Sequence, residues 1–249
     1  MIFSLLSQII NLCSYKYIYF MKKLSFITIK KKHIIIAIAC LLAIFTMSFA
    51  PSAIESLTPN TKYIVVIDAG HGGIDGGCEG ATTGVTEASL NLDYAKCLQQ
   101  KMEDFGFKVV MTRTAESGLY NPLASNKKRD DMKKRRNIIE NANADFVISI
   151  HMNSYSSKSR GAQVFYGKDD EPSKFLATNI QKHFIANLED ARQEIKVGDY
   201  YMLNEIKSPS VLVECGYLSN PKEEALLITE EYKNEVCYSI LLGVLEYLR

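Results

Sequence analysis

The sequence lacks an excess of charge of either sign: 29 Lys and Arg face 28 Asp and Glu, a formal net charge of +1. That balance gives no electrostatic footprint for nucleic acid, which is therefore not an expected partner. Cysteine is scarce. Past residue 50 only Cys78, Cys97, Cys215 and Cys237 occur, scattered and without a CxxC pair. A disulfide framework is excluded for a domain large enough to need no staples. Cys97 and Cys237 read as helix core residues. No internal repeat, low-complexity tract or second domain is visible. Histidine is also rare, with four in the chain, so imidazole chemistry has few places to reside.

One long apolar run is present, and it lies near the N-terminus. Lys30, Lys31, Lys32 and His33 lead into Ile34–Ala50, 17 uncharged residues. A basic segment before an apolar one is the pattern of an export signal, and its length is at the lower limit for a membrane anchor. Ser48-Phe49-Ala50 offers small residues at a cleavage site, with Pro51 directly after it opposing cleavage. The positive-inside rule places the rest of the chain outside the cytoplasmic membrane. Met21 is an alternative start, since MKKLSFITIKKK is itself a basic leader. Cys40 reads as interior to the apolar run rather than as a lipidation site. The expected division is residues 1–50 as export signal or membrane anchor, 51–61 as linker and 62–249 as catalytic domain.

Beyond the linker the pattern alternates. Strands are expected at Tyr63–Asp68, Lys108–Thr112, Phe146–Ile150, Ala162–Tyr166, near Tyr200–Leu203, and at Ser210–Glu214. Helices are expected over Thr86–Phe105, Asp130–Ala142, Ser173–Leu188, Lys222–Ile228 and Glu231–Leu248. Alternation of this kind predicts an α/β fold: a twisted, mostly parallel β-sheet flanked by helices on both faces, in a single domain. Several strands are apolar without alternation, as a sheet covered on both faces requires.

His71 and His151 each follow a predicted strand, in VVIDAG-H and FVISI-H. Ligands of open α/β sheets bind beyond the carboxyl ends of the strands, so two imidazoles delivered there can meet. His183 sits among Gln181, Lys182 and Asn187 and reads as a surface residue. Histidine with carboxylate is a normal zinc set, and catalytic zinc leaves one position for water. Glu87, at a helix start, and Glu214, ending SVLV-E, are the carboxylate candidates. One would complete the metal site and the other would act as general base; position alone leaves the assignment open. The glycine loop Gly70–Gly77 has no GK[ST], and Asp75 stands where a dinucleotide fingerprint wants glycine, so nucleotide binding is excluded. Its glycines let the backbone turn sharply and leave the site open to a bulky substrate.

Five ordered blocks carry a resemblance: VVIDAGHGGIDGG, TEASLNL, MTR, NANADFVISIHMNS and VLVECGYLSNPKE. Together they resemble the zinc-dependent N-acetylmuramoyl-L-alanine amidases of the type-3 family, from about Tyr63 to the C-terminus. The resemblance implies Zn2+ as cofactor with His71, Glu87 and His151 as metal ligands, and Glu214 as the catalytic residue. It implies peptidoglycan as substrate and hydrolysis of the amide between the lactyl group of N-acetylmuramic acid and L-alanine. Glu214 would then take the water proton and pass it to the leaving nitrogen. Thr86-Glu87-Ala88 departs from the common Glu-Lys at the helix start, but the glutamate is present. Cys78 stands where the family has a small residue, with a thiolate ligand as the alternative reading.

SKSRGAQVFY and YYMLNEIKSPSVLVE are similar to the germination-specific branch, which helps make muramic-δ-lactam in the spore cortex. That branch implies an activating lipoprotein partner, and the chain is expected to be a monomer. Competing readings are a general amidase of cell separation or turnover, a non-catalytic peptidoglycan-binding module, a zinc carboxypeptidase and a membrane scaffold. The intact set of His71, Glu87, His151 and Glu214 argues against the non-catalytic ones.

Overall fold

The computed structural model describes residues 63–249. The expected leader and linker, residues 1–61, lie outside the described residues. Among the described residues no helix is long and apolar enough to cross a membrane.

Six strands form one mixed sheet: β1 (Ile64–Ala69), β2 (Lys108–Met111), β3 (Phe146–Asn153), β4 (Gln163–Tyr166), β5 (Lys196–Val197) and β6 (Ser210–Tyr217). Their spatial order is β2-β1-β3-β6-β4-β5. The first four of these neighbours run parallel, and β4 meets β6 antiparallel. β1, β3 and β6 are central strands, and each carries an apolar run that includes β-branched residues. Such residues lose little on a pleated backbone and gain by burial on both faces.

Among the described residues six helices flank the sheet: α1 (Glu87–Asp104), α2 (Lys127–Ala142), α3 (Glu171–Asn187), α4 (Tyr201–Asn204), α5 (Pro221–Leu227) and α6 (Glu230–Tyr247). Alternate residues of a strand face opposite sides, and the core divides accordingly. Val65, Ile67, Ile148 and Val213 join Leu98 of α1, Ile180 of α3 and Ile240 of α6 in the larger cluster. Val66 and Val147 pack instead with Ile139 of α2 and Met202 of α4. Each such fully buried aliphatic side chain contributes about 1.5–3 kcal/mol of transfer free energy.

Helix starts follow local capping chemistry. Thr86 Oγ1 accepts the Ser89 N–H at the head of α1, and Asn126 Oδ1 accepts the Arg129 N–H at the head of α2. The Asn126 cap starts α2 three residues before the expected Asp130, inside a basic run that masks any start signal. Asn143, left-handed at φ 49, ends it. The expected strand near Tyr200–Leu203 is corrected: that segment is the single helical turn α4. Its adjacent residues Met202 and Leu203 are both buried, which strand alternation would not permit on one face. The pairing beside β4 is made by Lys196–Val197 instead.

The chain leaves β1 for β2 on one side and returns to β3 on the other. The carboxyl ends of β1 and β3 therefore flank a topological switch point, where open sheets form their crevices. His71 follows β1, and His151 lies within β3, which runs three residues beyond its expected end.

Candidate metal centre

Four sequence-predicted residues converge on that crevice. His151 and Glu214 are register partners on the adjacent strands β3 and β6. Glu87 is the first residue of α1, a helix packed on the opposite face whose N-terminus reaches over the sheet edge. Donor atoms of His71, Glu87 and His151 all lie within 4.8 Å of one another. Glu87 Oε1 is 3.1 Å from His71 Nε2 and 2.8 Å from His151 Nδ1. The imidazole rings meet edge to face, with centroids 5.1 Å apart. His183, as expected, is elsewhere, 2.9 Å from Glu246 Oε2.

Glu87 is also fixed by the backbone. Its Oε2 accepts the Cys78 N–H at 3.0 Å, and its Oε1 accepts from Met152 N–H and Asn91 Nδ2, each at 3.3 Å. Burial disfavours the Glu87 charge, but the hydrogen bonds and charges of the two imidazoles outweigh it and hold the carboxyl below the usual range. For His71, burial disfavours the cation, yet Glu87 and then Asp75 raise its pKa. Asp75 Oδ1 sits 3.0 Å from Nδ1, close enough for an ion pair though off the line of the N–H.

Glu214 is different. Burial pushes its pKa up to about 7; Glu87 adds to this, while His151 and His71 oppose it. Its Oε2 is buried without a hydrogen-bond partner among the described residues. An orphaned buried oxygen in a folded protein calls for water or an ion. Two carboxylates are thus separated by environment, one held anionic and the other near neutrality, which is how acid–base sites are divided.

The donor set fits a zinc ion. Two imidazole nitrogens and a carboxylate oxygen form a usual catalytic set. Their 2.8 and 3.1 Å spacings approach the edge, about 3.3 Å, of a tetrahedron with ligands about 2.0 Å from zinc. Cys78 is a poor fourth candidate. Burial and then the Glu87 charge push its thiol up to about 12, and its Sγ faces Met152 O at 3.6 Å. Its contribution to Glu87 is made by its backbone.

Close packing explains two glycines better than openness does. A β-carbon at Gly70 would come 2.3 Å from His151 Cε1, and one at Gly77, where φ is +69, would come 2.5 Å from Glu87 Oε2. His71 itself is left-handed at φ 60, an uncommon conformation for a residue with a β-carbon.

What holds that conformation was not foreseen from the sequence. Arg135 of α2 is buried and donates to Asp68 Oδ1 at 2.7 Å, to Asp131 Oδ2 and Ala69 O at 2.6 Å, and to His71 O. Arg113 donates to Ala69 O and Gly70 O at 2.9 Å and to Ala88 O at 2.7 Å. Thr112 Oγ1 and Ser149 Oγ complete the Asp68 carboxylate at 2.7 and 2.6 Å. Two guanidinium groups therefore clamp the carbonyls on either side of His71. The i,i+4 spacing of Asp131 and Arg135 was a signal, hidden in a helix rich in charge. Tyr120, Tyr200 and Tyr201, also unforeseen, line the cleft of about 600 Å³ above the four residues.

Comparison with known proteins assigns the family. Residues 65–246 match the family model described as N-acetylmuramoyl-L-alanine amidase. The germination-specific N-acetylmuramoyl-L-alanine amidase of Bacillus subtilis (strain 168) is 35% identical over 195 residues, which are 76% of this chain and 81% of that protein. Among solved structures, the CwlD amidase from Clostridioides difficile, determined in complex with the GerS lipoprotein, superposes with a TM-score of 0.72 at 37% identity. It covers 75% of this chain and 98% of its own. The catalytic domain of CwlV from Bacillus (Paenibacillus) polymyxa var. colistinus gives 0.67 at 34% identity, with 75% and 98% covered. The chain belongs to the N-acetylmuramoyl-L-alanine amidase family and is an enzyme of that activity.

Proposed function

We propose that the protein uses zinc, held by His71, Glu87 and His151, to hydrolyse the amide between N-acetylmuramic acid and L-alanine in peptidoglycan. The observation that carries this reading is the convergence of two imidazoles and an anionic carboxylate beside a second, buried carboxylate with a free oxygen. When bound, zinc supplies a Lewis acid that lowers the pKa of water and polarises a carbonyl. Glu214 takes the proton of the attacking water on its unpartnered oxygen and delivers it to the leaving alanine nitrogen. Its near-neutral pKa suits both transfers. The Arg135 and Arg113 clamps keep His71 in place while the substrate turns over, and the tyrosine walls hold the scissile bond over the site.

The reaction belongs outside the cytoplasmic membrane, with the N-terminal segment as export signal or anchor. We assign it to spore cortex maturation, in the formation of muramic-δ-lactam, with a lipoprotein as activating partner. Likeness to the germination-specific amidase and to the lipoprotein-bound CwlD supports that role. Digestion of purified peptidoglycan with and without a chelator tests the chemistry. The expected products are free lactyl ends on muramic acid and new L-alanine N-termini, both lost with chelator and restored by zinc; other ends would overturn it. Deletion in the source organism tests the role: a cortex without muramic-δ-lactam is expected, and an unaltered cortex would contradict it.

A further inference from the structure

The cleft does not end at the four residues. Lys128, Met132 and Tyr201 line its wall and also line a second cavity of about 510 Å³, so the two share a wall. The remaining lining of the second cavity includes Arg129, Lys133, Arg136 and Glu205. Arg129, Lys133 and Arg136 recur at i, i+4 and i+7, one face of α2. Lys128 is engaged with Asp75 at 3.2 Å, and Arg136 with Glu140 at 2.9 Å and Glu205 at 3.3 Å. Arg129 and Lys133 are exposed and make no ion pair among the described residues. Four cations with one carboxylate thus border a cavity beside the reaction cleft, and two of those cations make no ion pair among the described residues.

The substrate of the proposed reaction, on which this inference rests, has charge at one end only. Its sugars are neutral, and the lactyl carboxyl is consumed in the scissile amide. Free carboxylates occur along the stem peptide. We propose that the cavity over α2 is the subsite for stem-peptide carboxylates, and that it sets the polarity of the bound substrate: peptide along Arg129 and Lys133, glycan away from α2. Guanidinium and ammonium groups bind carboxylate by charge-assisted hydrogen bonds without reaching the reacting atoms. Such contacts are equal in ground and transition state, so they act on KM.

The test uses the zinc-loaded protein together with its activating lipoprotein and two defined disaccharide-peptide fragments, one with free peptide carboxylates and one with the same carboxylates amidated. The wild type should favour the free form by about tenfold in kcat/KM, mostly through KM, as expected for two or more exposed charge pairs. Salt should shrink the preference. The double variant Arg129→Gln, Lys133→Gln, checked for an unchanged Tm, should lose the preference and keep kcat on the amidated fragment. Equal kcat/KM for both fragments in the wild type, or a preference that survives in the double variant, overturns the subsite alone. Hydrolysis of neither fragment by the wild type overturns the amidase reading together with the subsite.

Discussion

Replacing Arg135 with Leu removes the guanidinium that joins Asp68, Asp131 and the carbonyls before and at His71. The Arg135 and Asp68 side chains are 2% and 1% exposed, so water cannot take the place of the lost partner. Leaving one charge of a buried pair unpaired costs about 3–5 kcal/mol. For a domain of this size 1 kcal/mol moves Tm by about 2–4 °C, so the variant should melt about 10 °C below the wild type. The double variant Asp68→Asn, Arg135→Leu removes the orphaned charge and should recover a good part of that loss. Acid adds a second readout. Arg135, Ser149 and Thr112 overcome burial to hold Asp68 at about 2, against its ordinary 3.8. A depressed carboxylate stabilises the fold above its unfolded pKa and loses that contribution as pH falls through the folded one. About 2 kcal/mol should therefore be present above pH 4 and disappear towards pH 2 in the wild type, but not in Asp68→Asn. Thermal unfolding by circular dichroism or calorimetry, in chelator, measures both. An Arg135→Leu melt within 2 °C of the wild type, or a double variant no more stable than the single, would mean that the buried pair does not carry this stability.

Four further outcomes follow from the site. Glu214→Gln should lower kcat by about 10²–10⁴ or more with the metal retained, as loss of a general base does. The wild-type kcat/KM should rise with pH, since Glu214 must lose its proton to act, with an apparent pKa above the ordinary 4.5; a profile flat down to that value would contradict the assignment. Cys78→Ser should keep its metal and stay within about twofold of wild-type activity, because a thiol of raised pKa is no ligand. Its backbone N–H still serves Glu87, so metal loss measured by elemental analysis would restore the thiolate reading. Gly77→Ala forces a side chain into left-handed backbone and against Glu87. A cost of about 1–3 kcal/mol and weakened metal binding by competition titration are expected.

Much of the fold was legible because its signals are local. β1, β3 and β6 carry apolar runs of strand length, and α1 is bounded by Thr86 and Gly106. The two histidines were legible because they stand at strand ends, where an α/β sheet delivers ligands to one edge. Less legible was what depends on long-range contact. No local pattern distinguishes the turn at Tyr201–Asn204 from a strand; burial of Met202 and Leu203 against the sheet decides it. Arg135 looked like one more cation in KKRDDMKKRRN, and only folding brings it beneath His71. The division of labour between Glu87 and Glu214 rested on resemblance. Their environments now supply a physical basis, since one accepts from two imidazoles and the other has a bare, buried oxygen.

X-ray absorption at the zinc edge on the purified protein identifies the ligands of the metal. One zinc per chain is expected, surrounded only by nitrogen and oxygen at about 2.0–2.2 Å, two of them from imidazole, with the same spectrum in Glu214→Gln. A sulfur scatterer at about 2.3 Å, a spectrum changed by Glu214→Gln, or protein that holds no zinc would contradict it.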